Sequence, residues 1–191
     1  MIKVGIIGDI GSGKSHVAKL FGFPVFNADH EVLKIYKKDK FCFKKLKKKL
    51  PNHINSFPIK KSEIFNAINK NKNNLKKITK IVHPIVRFNM NKFFKKYKNK
   101  KMVILDVPLL LENKINKKNY ILVYVDAKKN QIYKRLKKRP NFNIKIFNKL
   151  KNLQLPLEVK KKKANFIIKN NFQISSIKKN VKMLKKRILK K

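Results

Sequence analysis

Residues Gly8 to Ser15 read Gly-Asp-Ile-Gly-Ser-Gly-Lys-Ser, a glycine-rich stretch closed by a lysine and a hydroxyl. The spacing satisfies G-x-x-x-x-G-K-[ST], whose chemistry is the cradling of a nucleoside triphosphate. Gly8, Gly11 and Gly13 tolerate positive φ and let backbone N–H groups approach phosphate oxygens closely. Ser12 and His16 add backbone N–H groups on either side of Gly13 and Ser15. Lys14 is placed to reach the β- and γ-phosphates, and the Ser15 hydroxyl to ligate Mg²⁺. Asp9 sets a carboxylate beside an anion site and reads as a turn residue pointing outward. The pattern specifies a nucleotide and leaves the acceptor open. The guanine-reading Asn-Lys-x-Asp does not occur at Asn116-Lys117-Lys118-Asn119, and a chain of 191 residues is short for a motor.

Such a loop needs a buried strand before it and a helix after it. Ile2 to Ile7 supplies the strand, rich in β-branched residues and uncharged after Lys3. Lys14 to Phe21 has helical spacing, and Gly22 is a stop. The helix N-terminus then points its N–H groups and positive dipole end at the anion. Further strands are expected at Pro24 to Phe26, Val103 to Leu105, Tyr120 to Val125 and Phe166 to Ile168. Helical patterns fill the intervals, and Ile174 to Leu189 reads as an amphipathic helix. Strands alternating with helices predict an α/β fold with a parallel sheet.

Composition narrows the classes. The net charge is +43, yet only Arg87, Arg135, Arg139 and Arg187 are arginine. The lysines are dispersed along the chain, as compositional drift would leave them, and no stripe of the kind that tracks a nucleic-acid backbone stands out. The stretch Lys160 to Lys163 reads as a solvated helix face. No run of 18 apolar residues predicts a membrane span. The N-terminus has no signal-peptide pattern, and the single cysteine, Cys42, fits a reducing cytoplasm. Against this background the five glycines and nine acids can be read one by one.

Four further segments resemble the dephospho-CoA kinase family. They are Asn27-Ala28-Asp29, His83-Pro84-Ile85-Val86-Arg87, Leu105-Asp106-Val107-Pro108-Leu109-Leu110-Leu111-Glu112, and the stretch from Gln131 through Arg135 and Arg139 to Gln154-x-Pro156-x-Glu158-x-Lys160 and Ala164 to Asn171. Asn27 departs from the family's first aspartate in Asp-Ala-Asp. The resemblance implies a P-loop core with a five-stranded, mostly parallel sheet and flanking helices in one domain spanning 1–191. It also implies a helical acceptor-binding insertion near 30–98 and a helical lid near 128–164. The implied reaction takes ATP and dephospho-CoA, with Mg²⁺, to ADP and CoA. No specific nucleic acid or membrane is expected as a partner, and the oligomeric state is open.

Roles follow from side-chain chemistry set against plainer alternatives. Asp29 is the candidate general base for the acceptor hydroxyl; it could instead orient that hydroxyl, hold a metal-bound water or cap a helix. Arg135 and Arg139, four apart on a helix, are candidates to clamp ATP phosphates with planar guanidinium forks, Arg139 above all; the alternative is a surface pair. Lys14, Asp29 and Arg139 are therefore the expected catalytic groups. His83 and Arg87 are candidates for acceptor contact, or for a packing unit at a helix start near Pro84. Asp106 ends a strand as a Walker-B-like acid would, and could hold Mg²⁺ through water. Pro108, Leu109 and Leu110 are expected to shape the acceptor pocket. Glu112 either contacts substrate or locks a helix start.

Overall fold

The computed structural model describes residues 1–116, 119–138 and 142–190. The apolar N-terminal run forms β1 (Ile2–Gly8), buried from Val4 onward. A strand apolar on both faces has to be covered on both sides, as in parallel α/β sheets. β1 is the centre of a five-stranded sheet of order β2-β3-β1-β4-β5, with β2 at Val25–Asn27, β3 at Met102–Asp106, β4 at Tyr120–Asp126 and β5 at Phe166–Lys169. All neighbouring strands run parallel. The five expected strands are all present, with no bound shifted by more than one residue.

The chain forms two compact units: Met1–Asn27 with the chain from Tyr97 onward, and Ala28–Lys96. In the first unit, α1 (Lys14–Leu20) and α9 (Ile174–Leu189) cover the sheet. Val17, Ala18 and Phe21 join Ile177, Val181, Leu184 and Ile188 against Val4, Ile6, Ile104, Val123 and Val125. The spacing of the α9 residues gives one apolar stripe, with lysines elsewhere on the helix. Gly22 lies at φ 71, the left-handed position that ends a helix. The same unit carries α6 (Lys129–Lys137), α7 (Ile144–Lys151) and α8 (Leu157–Lys163).

The second unit is helical: α2 (Ala28–Lys38), α3 (Lys40–Lys49), α4 (Lys61–Lys70) and α5 (Lys72–Lys96). Its turn between α3 and α4 is gathered by one carboxylate. Glu63 accepts from Asn55 N, Ser56 N, Ser56 Oγ and Lys60 N at 2.8–3.0 Å. Burial pushes the Glu63 carboxyl up, but these bonds outweigh it and hold the group below its ordinary value. α5 corrects one expectation. Pro84 lies in the helix interior rather than at a helix start. The buried residues Ile78, Val82, Val86 and Met90 recur at a spacing of four through the proline, so packing carries the helix across the backbone bond that proline cannot make.

Candidate active site

Gly8 to Lys14 wraps from the end of β1 into α1. Gly8, Gly11 and Gly13 have φ of 146, 83 and 91. Lys14 Nζ donates to the Asp9 carbonyl at 2.6 Å and the Gly8 carbonyl at 3.3 Å, so the ammonium folds over its own loop. The Ser12 N–H donates to Asp9 O at 3.2 Å. Asp9 Oδ1 accepts from Ile10 N at 2.7 Å, which makes Asp9 a brace of the turn. Ser15 and His16 lie in the first turn of α1 and are exposed, while Ser12 is fully buried.

The carboxyl end of the sheet gathers the next group. Register sets Ile6 beside Asp106 and Asp106 beside Asn27. Asp106 is 3% exposed, and its Oδ2 accepts from Asn27 Nδ2 at 2.5 Å. The position that departs from the family's aspartate is thus an amide donor to the strand-end acid. β5 leads into buried Asn170, whose Nδ2 donates to Ser12 O at 2.7 Å. Arg135, on α6, is exposed, with its guanidinium 4.5 Å from the Phe172 ring centroid. Arg139 lies outside the described residues.

After β3 the chain turns through Pro108 to Lys114. Pro108 and Leu109 are half-buried, while Leu110 is 1% exposed and packs on Gly5 of β1. A Cβ at Gly5 would collide with Leu110 Cδ2, which is why the centre of an otherwise branched strand is glycine. Glu112 Oε1 accepts from Leu155 N at 3.0 Å and from Lys160 Nζ at 2.7 Å. Lys160 is 1% exposed, which corrects the expectation of a solvated lysine face at its first residue; Lys161 to Lys163 are exposed. A lysine run hides one buried member because only tertiary contact tells its residues apart. Glu112 therefore anchors α8.

In the helical unit, Asp29 is exposed in the first turn of α2, whose first residue is Ala28. The helix starts before it, so the capping role is corrected; its charge, with that of Glu31, still suits a helix N-terminus. His83 is half-buried and Arg87 is exposed, one turn apart on α5. Burial, and then the Arg87 charge, hold the His83 imidazole below its ordinary pKa, so it is the neutral form that the fold favours. Asn170 and Lys160 are the residues that sequence reasoning quoted but gave no task. The cue available for both was their place in the resembling segments.

A sequence model of the dephospho-CoA kinase family matches residues 2–176. The chain belongs to that family. Dephospho-CoA kinase from Bartonella henselae is 30% identical over 192 residues, which is 98% of each chain. Among solved structures, TT1252 from Thermus thermophilus superposes with a TM-score of 0.80 at 24% identity, covering 99% of this chain and 97% of that one. Dephospho-CoA kinase from Campylobacter jejuni gives 0.67 at 20% identity, covering 98% and 97%. These two likenesses speak to the fold, a P-loop kinase core. Membership makes the chain a phosphotransferase that uses ATP and dephospho-CoA in coenzyme A biosynthesis.

Proposed function

We propose that this kinase moves the γ-phosphoryl group of ATP to the ribose 3′-hydroxyl of dephospho-CoA with Asp29 as the base. The oxygen–phosphorus bond to the 3′-oxygen forms as the β,γ-bridging bond breaks. The hydroxyl proton passes to Asp29, and the leaving oxygen departs on ADP. The supporting observation is the phosphate loop at the head of a parallel sheet, with Lys14 drawn over it. Phosphoryl transfer of this kind is mostly positioning and electrostatics, which such a loop provides. Lys14 shifts from its carbonyl partners to the β- and γ-phosphates on binding. Arg135 and Arg139 neutralise charge on the nucleotide side. His83, Arg87, Pro108 and Leu109 meet the acceptor, with Leu110 supporting them from the core.

Mg²⁺ fits these residues. It favours phosphate oxygens and waters with one or two protein ligands, and the exposed Ser15 hydroxyl and the Asp106 carboxylate are such ligands. When bound with the nucleotide, the ion neutralises charge on the transferring group. Asp106 would act through water, with Asn27 holding its carboxylate in place at Oδ2. The lid falls within 128–164, and the Glu112–Lys160 pair fixes its far end. We place the enzyme in the cytoplasm; among the described residues no helix is long and apolar enough to cross a membrane.

A coupled ADP-release assay with ATP, Mg²⁺ and a panel of hydroxyl acceptors tests the reading. Turnover with a nucleoside but none with dephospho-CoA would sink the acceptor and leave the kinase class standing. Asp29→Asn should fold and bind ATP as the parent does, while turnover falls by about 10²–10⁴-fold, the range of a lost general base. Near-parental turnover in that variant removes Asp29 from the mechanism.

A further inference from the structure

We propose that Asn170 is a positioning residue for the nucleotide, one amide that orients the phosphate loop and also holds the aromatic turn at Phe172. The inference rests on the nucleotide half of the function proposed above and is independent of the acceptor. Asn170 directly follows β5 and is 3% exposed. Its own N–H donates to Asp126 O at 2.6 Å, which extends the β4–β5 ladder by a step and fixes the backbone. Nδ2 donates to Ser12 O at 2.7 Å, and Oδ1 accepts from Phe172 N at 2.8 Å. The amide has a single sensible orientation. Turned over, its oxygen would face a carbonyl and its NH₂ would face an N–H.

The consequence for the loop follows from peptide geometry. A trans peptide sets its C=O and N–H on opposite sides. With the Ser12 carbonyl aimed at Asn170, the Gly13 N–H must point the other way. Gly13 is at φ 91, and a Cβ there would collide with Asn170 Nδ2. The Asn170 side of the loop is thus filled. The Gly13 N–H is thereby turned to the opposite side, where it is one of the backbone donors an anion can take. Ser12 is fully buried, so water has no easy route to replace the lost donor.

The other end of the amide holds the turn at Phe172. Phe172 sits at φ 62, a conformation uncommon for a bulky side chain, and Asn170 Oδ1 takes its N–H. The ring comes 3.6 Å from where a Gly13 Cβ would lie, and the Arg135 guanidinium lies 4.5 Å from its centroid. A flat ring under a planar cation, next to a phosphate loop, is a surface on which a purine can stack. Phosphate and base positions are therefore set by one side chain.

The test measures binding of Mg·ATP and of Mg·tripolyphosphate to the full chain without acceptor, together with KM for both substrates. Asn170→Asp keeps the shape and replaces the donor at Ser12 O by an acceptor. It should weaken both ligands by about tenfold or more, as loss of a buried hydrogen bond does, with KM for dephospho-CoA unchanged within about twofold. Relative to the parent at each pH, the loss should shrink towards pH 5, where a protonated carboxyl can donate again. Phe172→Leu should weaken ATP and spare tripolyphosphate, and it keeps the proposal testable if the Asn170 variant does not fold. Parental ATP affinity in Asn170→Asp, or equal weakening of ATP and tripolyphosphate by Phe172→Leu, overturns it. A parent chain that binds ATP but leaves dephospho-CoA untouched overturns the acceptor alone. A parent that binds no ATP overturns both.

Discussion

Asn27 shows how much one atom's identity decides at this site. Its amide donates to the Asp106 carboxylate across the β2–β3 register. Asn27→Asp would set two carboxylates against each other, and like charges at that range raise the proton affinity of the pair. The folded state would then bind more protons than the unfolded one, so the variant should lose stability as pH rises through the carboxylate range and recover it in acid. Thermal melts of both proteins from pH 4 to 8 measure this; parallel curves would mean that the two groups do not interact. The glycine-rich loop was legible residue by residue, because each position needs a particular backbone freedom or side-chain reach. The Asn27–Asp106 bond was not, since a strand-end amide looks the same in sequence whether or not it has a partner.

Strands were legible as short apolar runs, and α9 as a stripe, because burial on a repeating element writes its period into the sequence. Two features escaped that logic. The interior Pro84 of α5 breaks a local rule that packing of Ile78, Val82, Val86 and Met90 overrides. The Glu112–Lys160 pair joins the turn after β3 to α8 over a separation that no window spans. Removing one member of a buried ion pair strands the other. Lys160→Met and Glu112→Gln should each cost about 3–5 kcal/mol in denaturant unfolding, while a double change to apolar residues should restore much of it. Single-variant costs below about 1 kcal/mol would place the pair among ordinary surface bridges. Because α8 leads into β5 and Asn170, the same anchor lies upstream of the residue that braces the phosphate loop.

The net charge of +43 acts on the molecule as a whole. Like charges spread over one surface repel each other, which destabilises the compact state and is screened by salt. The melting temperature should therefore rise as NaCl goes from about 10 to 200 mM, over which range the Debye length shrinks to less than 10 Å. A flat or falling curve would mean that ion pairs outweigh the repulsion. Dispersed lysine also explains how so high a charge arises without the basic stripe that a nucleic-acid binder shows. The fold class and the phosphate loop were readable through that background, whereas the internal braces were not, because they depend on partners far away in sequence.

The acids that remain carry an implication in the language of mutation. A glutamate codon becomes a lysine codon, and an aspartate codon an asparagine codon, by one G-to-A change. A genome drifting towards A and T offers that step continually. Glu63, whose carboxylate gathers four donors in the α3–α4 turn, and Glu112, clasped to buried Lys160, stand where the step would place a cation among donors or against another cation. At position 27 the equivalent step yields an amide that donates to Asp106 where a carboxylate would repel it. The hydrogen-bond map thus divides sites at which this step breaks internal bonds from a site at which it makes one.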